Sequence, residues 1–159
     1  MKIFTIGVYG TTEEMFFQKL CANHIDTFVD IRQRRGVRGK LYCYVNSVYL
    51  QKKLAELGIR YEYYKELSPT KSIREMQWKA DKEKKQTKKY RDILSVNFIE
   101  AYNKLVLDAV DLDAIYNKLK ENNAKNVVLF CVEAKYTACH RSLLAERFKI
   151  KYNVEVEHL

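Results

Sequence analysis

The stretch LFCVEAKYTACHR at residues 129–141 brings two thiols, a carboxylate, an imidazole and a guanidinium together directly after a hydrophobic run. Cys139 stands at the predicted start of a helix, where the helix dipole and the neighbouring His140 and Arg141 would lower the pKa of its thiol. Cys139 or His140 is therefore a candidate nucleophile or proton shuttle, with Glu133 as general base or orienter. Alternatively, the helix start and Arg141 could hold an anion without any nucleophile.

A second group of chemically active residues follows another short hydrophobic run. Asp30 precedes a stretch in which Arg32, Arg35 and Arg38 offer planar guanidinium forks suited to phosphate or carboxylate. Asp30 is a further candidate for the general base or orienter. The alternative is a buried Asp30–Arg32 ion pair that only fixes the loop. Gly7, after the first hydrophobic run, is expected to lie in the floor beneath a bound anion.

The spacing of cysteine and histidine does not predict a metal site. Cys131 and Cys139 are eight residues apart, Cys139 and His140 are adjacent, and no second ligand pair has zinc-like spacing. Cys131 lies inside the apolar run and is interpreted as a small core residue. A cysteine-phosphatase loop is disfavoured because Thr137 stands where that loop needs an arginine to grip phosphate. Whether a cofactor takes part stays open.

The positive charge of the chain is concentrated in two stretches. The formal net charge is +9, from 29 Lys and Arg against 20 Asp and Glu. One stretch is the arginine-rich segment at residues 32–40. The other holds Lys79, Lys82, Lys84, Lys85, Lys88, Lys89 and Arg91. Local positive charge attracts phosphate, nucleic acid or acidic partners, whereas a solvated helix face is the alternative for residues 79–91.

Length and composition favour one globular domain with a real core. The chain has 159 residues, of which 47% are hydrophobic. It has neither a signal peptide pattern nor an apolar run long enough to cross a bilayer, which predicts a cytoplasmic protein without a membrane partner. The four cysteines form no C-x-x-C pair and are interpreted as free thiols. The oligomeric state stays open.

The elements that must position these residues are predicted by hydrophobic periodicity. Strands alternate with helices, which predicts the α/β class and a single Rossmann-like three-layer domain over residues 1–159 with a mostly parallel central sheet. Helix caps are predicted at Asn46, Ser95 and Asp111, and a basic helical excursion at residues 70–91. Because ligands bind outside the carboxyl ends of the strands in such sheets, the loops after the first, second and fourth strands should converge if those strands are adjacent.

Five motifs resemble those of the DUF488 family of unknown function. They are TIG at 5–7, VDIR at 29–32, LGIRY at 57–61, FCVEAKYTACHR at 130–141 and EHL at 157–159. The resemblance implies a single Rossmann-like α/β domain and draws attention to the same loops, but it leaves the activity open. Val8 and Tyr9 replace the His and Ser of the common TIGHS motif, and Arg35 and Val37 replace a Pro and a Ser. The chain therefore resembles a branch with TIGVYG.

Three functions follow as hypotheses. The first is an enzyme that acts on an anionic, phosphate-bearing substrate at the carboxyl ends of the strands, with nucleic-acid derivatives among the candidates. The second is a non-catalytic module that binds nucleic acid or a phosphate ligand. The third is a redox-sensing thiol protein.

Overall fold

The computed structural model describes residues 1–87 and 90–159. Its centre is a sheet of strands β1 Lys2–Ile6, β2 Thr27–Asp30, β3 Arg60–Tyr63, β4 Asn126–Phe130 and β5 Glu155–His158. The strands lie in the order β3-β2-β4-β1-β5, and every pair is parallel. The predicted Rossmann-like α/β fold is confirmed, and the sheet is entirely parallel rather than mostly so. Lys88 and Lys89 of the basic stretch lie outside the described residues.

The three inner strands are apolar because both of their faces are covered. Strand β4 has the sequence NVVLF, and its last four residues are buried. Strands β1 and β2 are similarly buried, whereas the edge strands β3 and β5 are mostly exposed or half-buried. A continuous apolar run is the pattern expected of a central parallel strand. The structure agrees with this pattern, since β4 lies at the centre of the sheet, between β1 and β2.

Helices connect the strands and start at short polar residues. They are α1 Glu13–Ala22, α2 Ser47–Glu56, α3 Lys71–Glu83, α4 Val96–Tyr102, α5 Leu112–Glu121 and α6 His140–Tyr152. A π-helical turn at Asn103–Leu107 continues α4. The predicted caps at Ser95 and Asp111 are confirmed, since their side chains accept hydrogen bonds from the N–H groups of Phe98 and Ala114.

Asn46 precedes α2 as predicted, but its side chain does not cap the helix. Its Oδ1 instead accepts a hydrogen bond of 2.7 Å from the backbone N–H of Val37. The N–H of Ser47 also donates to the carbonyl of Arg35, at 2.9 Å. The start of α2 therefore holds the arginine-rich loop in place.

Among the described residues of the basic stretch, the first part is helical. Helix α3 ends at Glu83, and the chain then turns back towards Arg91. Arg91 is buried, and its Nη1 donates to Oδ2 of the buried Asp81 at 2.8 Å. The remaining described lysines, Lys79, Lys82, Lys84 and Lys85, are exposed. The stretch thus combines a solvated lysine face with one buried ion pair.

The loop after β1 passes very close to the loop after β4 at Gly7. A Cβ atom added to Gly7 would overlap the carbonyl oxygen of Glu133 and lie 3.1 Å from Nη2 of Arg141. The obstacle is backbone, which cannot rotate away as a side chain can. Gly7 is therefore required where the two loops cross.

Substitution of Gly7 by alanine should destabilise the protein by about 1–3 kcal/mol or more, because the loops must separate to admit a methyl group. Denaturant unfolding monitored by circular dichroism measures this change. Gly36→Ala is the matched control, since the nearest atom to its Cβ would be Oδ1 of Asn46 at 3.5 Å. Equal stability of the two variants would contradict the close approach.

Candidate functional site

The loops after β1, β2 and β4 meet at one edge of the sheet, as predicted from the sequence. Ile6 and Asp30 both lie in register with Phe130, the last residue of β4. The loops are then joined by backbone hydrogen bonds. Val132 accepts from Val8 and Tyr9, at 3.2 and 3.0 Å.

A cavity of about 570 Å³ opens over this junction. Six cationic side chains contribute to its lining: Arg32, Arg34, Arg38, Lys71, Arg74 and Arg91. Glu133 is the one carboxylate among the described residues of that lining. Four aromatic residues, Tyr9, Tyr42, Trp78 and Phe98, also contribute to the wall. Positive charge therefore dominates the cavity, and it comes from the loop after β2, from α3 and from Arg91.

Cys131, Cys139 and His140 lie together in the wall of this cavity. The Nδ1 atom of His140 is 3.7 Å from Sγ of Cys139 and 3.9 Å from Sγ of Cys131. The three potential ligand atoms all lie within 4.8 Å of one another, and all three residues are buried. Sγ of Cys131 also donates to Oε2 of Glu133 at 3.1 Å.

The orientation of His140 is fixed by its other ring nitrogen. Nε2 lies 3.2 Å from the carbonyl oxygen of Ile31, which can only accept a hydrogen bond. We therefore assign the proton of the neutral ring to Nε2, which leaves Nδ1 as an acceptor that faces the two thiols. The ring of Tyr102 packs edge-on against the imidazole, with 5.4 Å between the ring centroids.

The surroundings favour an ionised Cys139 beside a protonated His140. Burial and the negative charge of Glu133 would raise the pKa of Cys139, but the interaction with the Cys131 thiol and the positive charges of His140 and Arg141 lower it to about 5. Burial would lower the pKa of His140, but the charge of Cys139 and its hydrogen bond, the charge of Glu133 and the hydrogen bond to the carbonyl of Ile31 together raise it. Cys139 is also the N-cap of α6, where the helix dipole favours negative charge.

Asp30 and Arg32 form a fully buried ion pair with two hydrogen bonds. Nε and Nη2 of Arg32 donate to the two carboxylate oxygens of Asp30, at 2.9 and 2.7 Å. The hydroxyl of Tyr61 donates to Oδ2 of the same carboxylate at 2.9 Å. Burial and this carboxylate raise the pKa of Tyr61 to about 12. Arg32 lines the cavity while Asp30 lies behind it, and Nη1 of Arg32 is buried with no hydrogen-bond partner among the described residues.

Arg141 is fully buried, but it contacts backbone rather than the cavity. Its Nη1 and Nη2 donate to the carbonyl oxygens of Glu133 and Ala134, at 2.6 and 2.9 Å. Gly7 packs against the same Glu133 carbonyl. Arg141 and Gly7 therefore hold the loop after β4, and neither is among the residues that line the cavity.

The two remaining predicted arginines have different environments. Arg38 is exposed and lines the cavity. Arg35 does not line it, and its guanidinium lies over the ring of Tyr63 at 4.3 Å. The structure thus brings Arg32, Arg38, Glu133, Cys139 and His140 to the cavity and places Gly7, Asp30, Arg35 and Arg141 around it.

Sequence reasoning did not single out two residues of the site, Cys131 and Arg91. Cys131 is buried as predicted, yet its sulfur also contacts Glu133 and His140. Arg91 was grouped with the exposed lysines, although its guanidinium donates to the carbonyl of Ala138 and lies 3.6 Å from Glu133. Only one feature of the sequence indicated that Cys131 belongs to the site. It lies two residues before Glu133 at the end of a predicted strand. No signal in the basic stretch distinguished Arg91.

Replacing Asp30 by asparagine should cost about 3–5 kcal/mol of stability, because it leaves the buried guanidinium of Arg32 without a counter-charge. Denaturant unfolding measures the loss. The matched control is Asp108→Asn, whose carboxylate pairs with Arg147 at 2.7 Å on the surface and should contribute at most about 1 kcal/mol. A small effect of Asp30→Asn would show that Arg32 finds another partner.

The comparisons with known proteins agree with the motifs. None of the helices formed by the described residues is long and apolar enough to cross a membrane. No curated protein and no solved structure matches the chain. The family model described as Domain of unknown function DUF488 matches residues 12–148, a range that contains Asp30, Arg32 and the whole stretch from Cys131 to Arg141. Because this match spans most of the chain, the protein belongs to the DUF488 family.

Proposed function

We propose that the protein is an enzyme that acts on an anionic, phosphate-bearing substrate bound in the cavity at the carboxyl ends of the strands. The observation that carries this proposal is the unpartnered Nη1 of Arg32, a buried charged donor in a residue of the cavity wall. Leaving a buried donor without an acceptor costs about 1–3 kcal/mol, and more when the group is charged. An oxygen atom of a bound anion would remove that cost.

The other cations of the cavity fit the same ligand. Arg34, Arg38 and Lys71 are exposed, whereas Arg32 and Arg91 are buried deeper in the wall. Exposed cations draw an anion from solution, and Arg32 would bind it with a directed hydrogen bond. Arg91, whose nitrogens contact Asp81 and the carbonyl of Ala138, adds positive charge to the wall. Asp30 orients Arg32 in this scheme, and Arg141 positions the loop that carries Glu133.

The groups for chemistry lie in the same cavity. Cys139 and His140 are the candidate reactive pair, and Glu133 is the nearest carboxylate to act as a proton acceptor or orienter. Trp78 and the tyrosines of the wall could stack a nucleobase, which keeps nucleic-acid derivatives among the candidate substrates. Four free cysteines suit a reducing compartment, and we infer that the protein works in the cytoplasm.

Anion binding should depend on Arg34 and Arg38, the exposed arginines that line the cavity. The double substitution Arg34→Ala and Arg38→Ala should weaken binding of inorganic phosphate, a nucleoside monophosphate or a short oligonucleotide by about tenfold or more. The logarithm of the oligonucleotide binding constant should fall with the logarithm of the salt concentration. Each lost phosphate contact should reduce the slope of that line by about one. Calorimetric titration at several salt concentrations measures both effects.

Arg147→Ala is the control for this binding experiment, because Arg147 pairs with Asp108 and is not among the residues lining the cavity. Equal binding by the two variants, or no binding of any of these anions at low salt, would contradict the proposal.

Turnover should depend on Cys139 while binding does not. Cys139→Ala should abolish the conversion of phosphate-bearing compounds identified by screening and keep their binding within a few fold. Cys21→Ala is the matched control because that thiol is exposed and remote in sequence from the site. Ligand binding by the native protein without turnover on any screened compound would favour the non-catalytic binding module.

A further inference from the structure

We propose that Cys131, Cys139 and His140 bind a thiophilic divalent cation, of which Zn²⁺ is the type, through the two sulfurs and Nδ1 of the imidazole. The inference rests on the proposed function in taking these residues as the chemical centre of the cavity. It changes their role from a free thiol with its base to a set of metal ligands. Thiolate and imidazole ligands favour zinc over the harder magnesium and calcium ions.

The two sulfur–nitrogen separations are close to those of a tetrahedral zinc site. With bonds of about 2.3 Å to sulfur and 2.0–2.1 Å to nitrogen, tetrahedral angles put ligating sulfur and nitrogen atoms about 3.6 Å apart. Nδ1 of His140 lies 3.7 and 3.9 Å from the two sulfurs. The two sulfurs lie within 4.8 Å of one another, and a site of this kind needs about 3.8 Å. The histidine contacts would shorten by a few tenths of an ångström or less on metal binding, and the two sulfurs would move from within 4.8 Å to about 3.8 Å of one another.

The imidazole is already oriented as a metal ligand requires. Metal-binding histidines usually donate their second ring N–H to a carboxylate, a backbone carbonyl or water. Nε2 of His140 is within hydrogen-bond distance of the carbonyl of Ile31 at 3.2 Å, so Nδ1 faces the sulfurs. Metal binding displaces the proton that Nδ1 carries in the imidazolium and uses the lone pair of that atom. Tyr102 packs against the ring and restricts its rotation.

The sulfurs are also held from fixed parts of the backbone. Cys131 directly follows β4, and its N–H donates to the carbonyl of Ile6. Cys139 is the N-cap of α6, and the preceding carbonyl of Ala138 accepts two hydrogen bonds from Arg91, at 3.0 and 3.3 Å. Rigid elements of this kind preorganise a ligand set.

The ligand set leaves one tetrahedral position without a protein ligand from these three residues. Three protein ligands and an open position are the arrangement of catalytic zinc, whereas structural sites are closed by four. All three residues line the cavity, so a substrate oxygen or water could occupy that position. Such a metal would polarise a phosphoryl oxygen or activate water. Glu133, 3.1 Å from the sulfur of Cys131 and in the cavity wall, is placed to pass the proton that this thiol loses on metal binding to solvent in the cavity.

The experiment measures zinc binding by the full chain. Protein purified with reductant and treated with a chelator is titrated with ZnCl₂ against a competing chromophoric chelator, and in parallel with CoCl₂. We expect one ion per chain and, with cobalt, a sulfur-to-metal charge-transfer band with the visible spectrum of tetrahedral Co²⁺. Cys131→Ser and His140→Gln should each weaken binding by more than about a hundredfold, since loss of outer-shell contacts alone costs about 10–100-fold.

The matched control is the double variant Cys21→Ser and Cys43→Ser, which removes the two exposed thiols and keeps the two buried ones. It should bind zinc as the native chain does. This control also tests the inference if the ligand variants fail to fold. It keeps only Cys131 and Cys139 as thiols, so a sulfur-to-cobalt charge-transfer band in its spectrum must come from them. Loss of zinc binding in this control, absence of the charge-transfer band, or a Cys131–Cys139 disulfide with no bound metal would overturn the inference.

Two results separate this inference from the proposed function. Protein that binds no zinc but converts a phosphate-bearing substrate in a Cys139-dependent manner would overturn the metal site and leave the proposed enzyme, with Cys139 as nucleophile. Protein that binds zinc through the three ligands but neither binds nor converts phosphate-bearing compounds would overturn the proposed function and leave the metal site.

Discussion

The hydrogen bonds from the buried guanidinium of Arg141 to two consecutive backbone carbonyls are the contacts on which the arrangement of the site depends. They fix Glu133 and Ala134 at the turn between β4 and α6, because each carbonyl accepts a hydrogen bond from the same buried side chain. Gly7 allows the neighbouring loop to approach the same carbonyl. Because Cys131 lies just before this turn and Cys139 just after it, the turn determines how close their sulfurs come.

The three buried arginines among the described residues bind different kinds of group. Arg141 binds backbone carbonyls, Arg32 binds the carboxylate of Asp30, and Arg91 binds both Asp81 and the carbonyl of Ala138. Arg32 and Arg141 each donate two side-chain hydrogen bonds to a carboxylate or to consecutive carbonyls, and Arg91 joins Asp81 of α3 to the carbonyl of Ala138. A lysine ammonium lacks the planar fork that makes such paired contacts. Of the three, Arg32 alone combines a place in the cavity wall with a buried nitrogen that has no partner among the described residues. This distinction separates a structural arginine from a candidate ligand-binding one.

The sequence predicted the strand and helix order, the parallel sheet and the meeting of three loops, because each depends on local patterns and on the rule for ligand sites in such sheets. It could not predict which side of a loop faces the cavity. Arg32 and Arg35 are three residues apart, yet one lines the cavity and the other lies over Tyr63. Asn46 was predicted as a cap, but the amide of Val37 competes successfully for its side chain. Cys131 and Cys139 have no zinc-like spacing because the turn held by Arg141, rather than a short hairpin, brings them together.

The balance of buried charge bears on what the cavity can hold. The buried ionisable residues of the described chain include three guanidiniums and three carboxylates, so they compensate one another when His140 is neutral and both thiols are protonated. Ionising the two thiols adds two negative charges in a region of low dielectric, which is unfavourable without a compensating cation. A protonated His140 compensates for one thiolate, and a divalent metal compensates for both. With the metal bound, the buried groups are neutral in sum again. The exposed Arg34, Arg38 and Lys71 of the cavity remain to attract an anion. The same cavity can therefore hold a cation between Cys131, Cys139 and His140 and a phosphate near the exposed cations without leaving a buried charge unpaired.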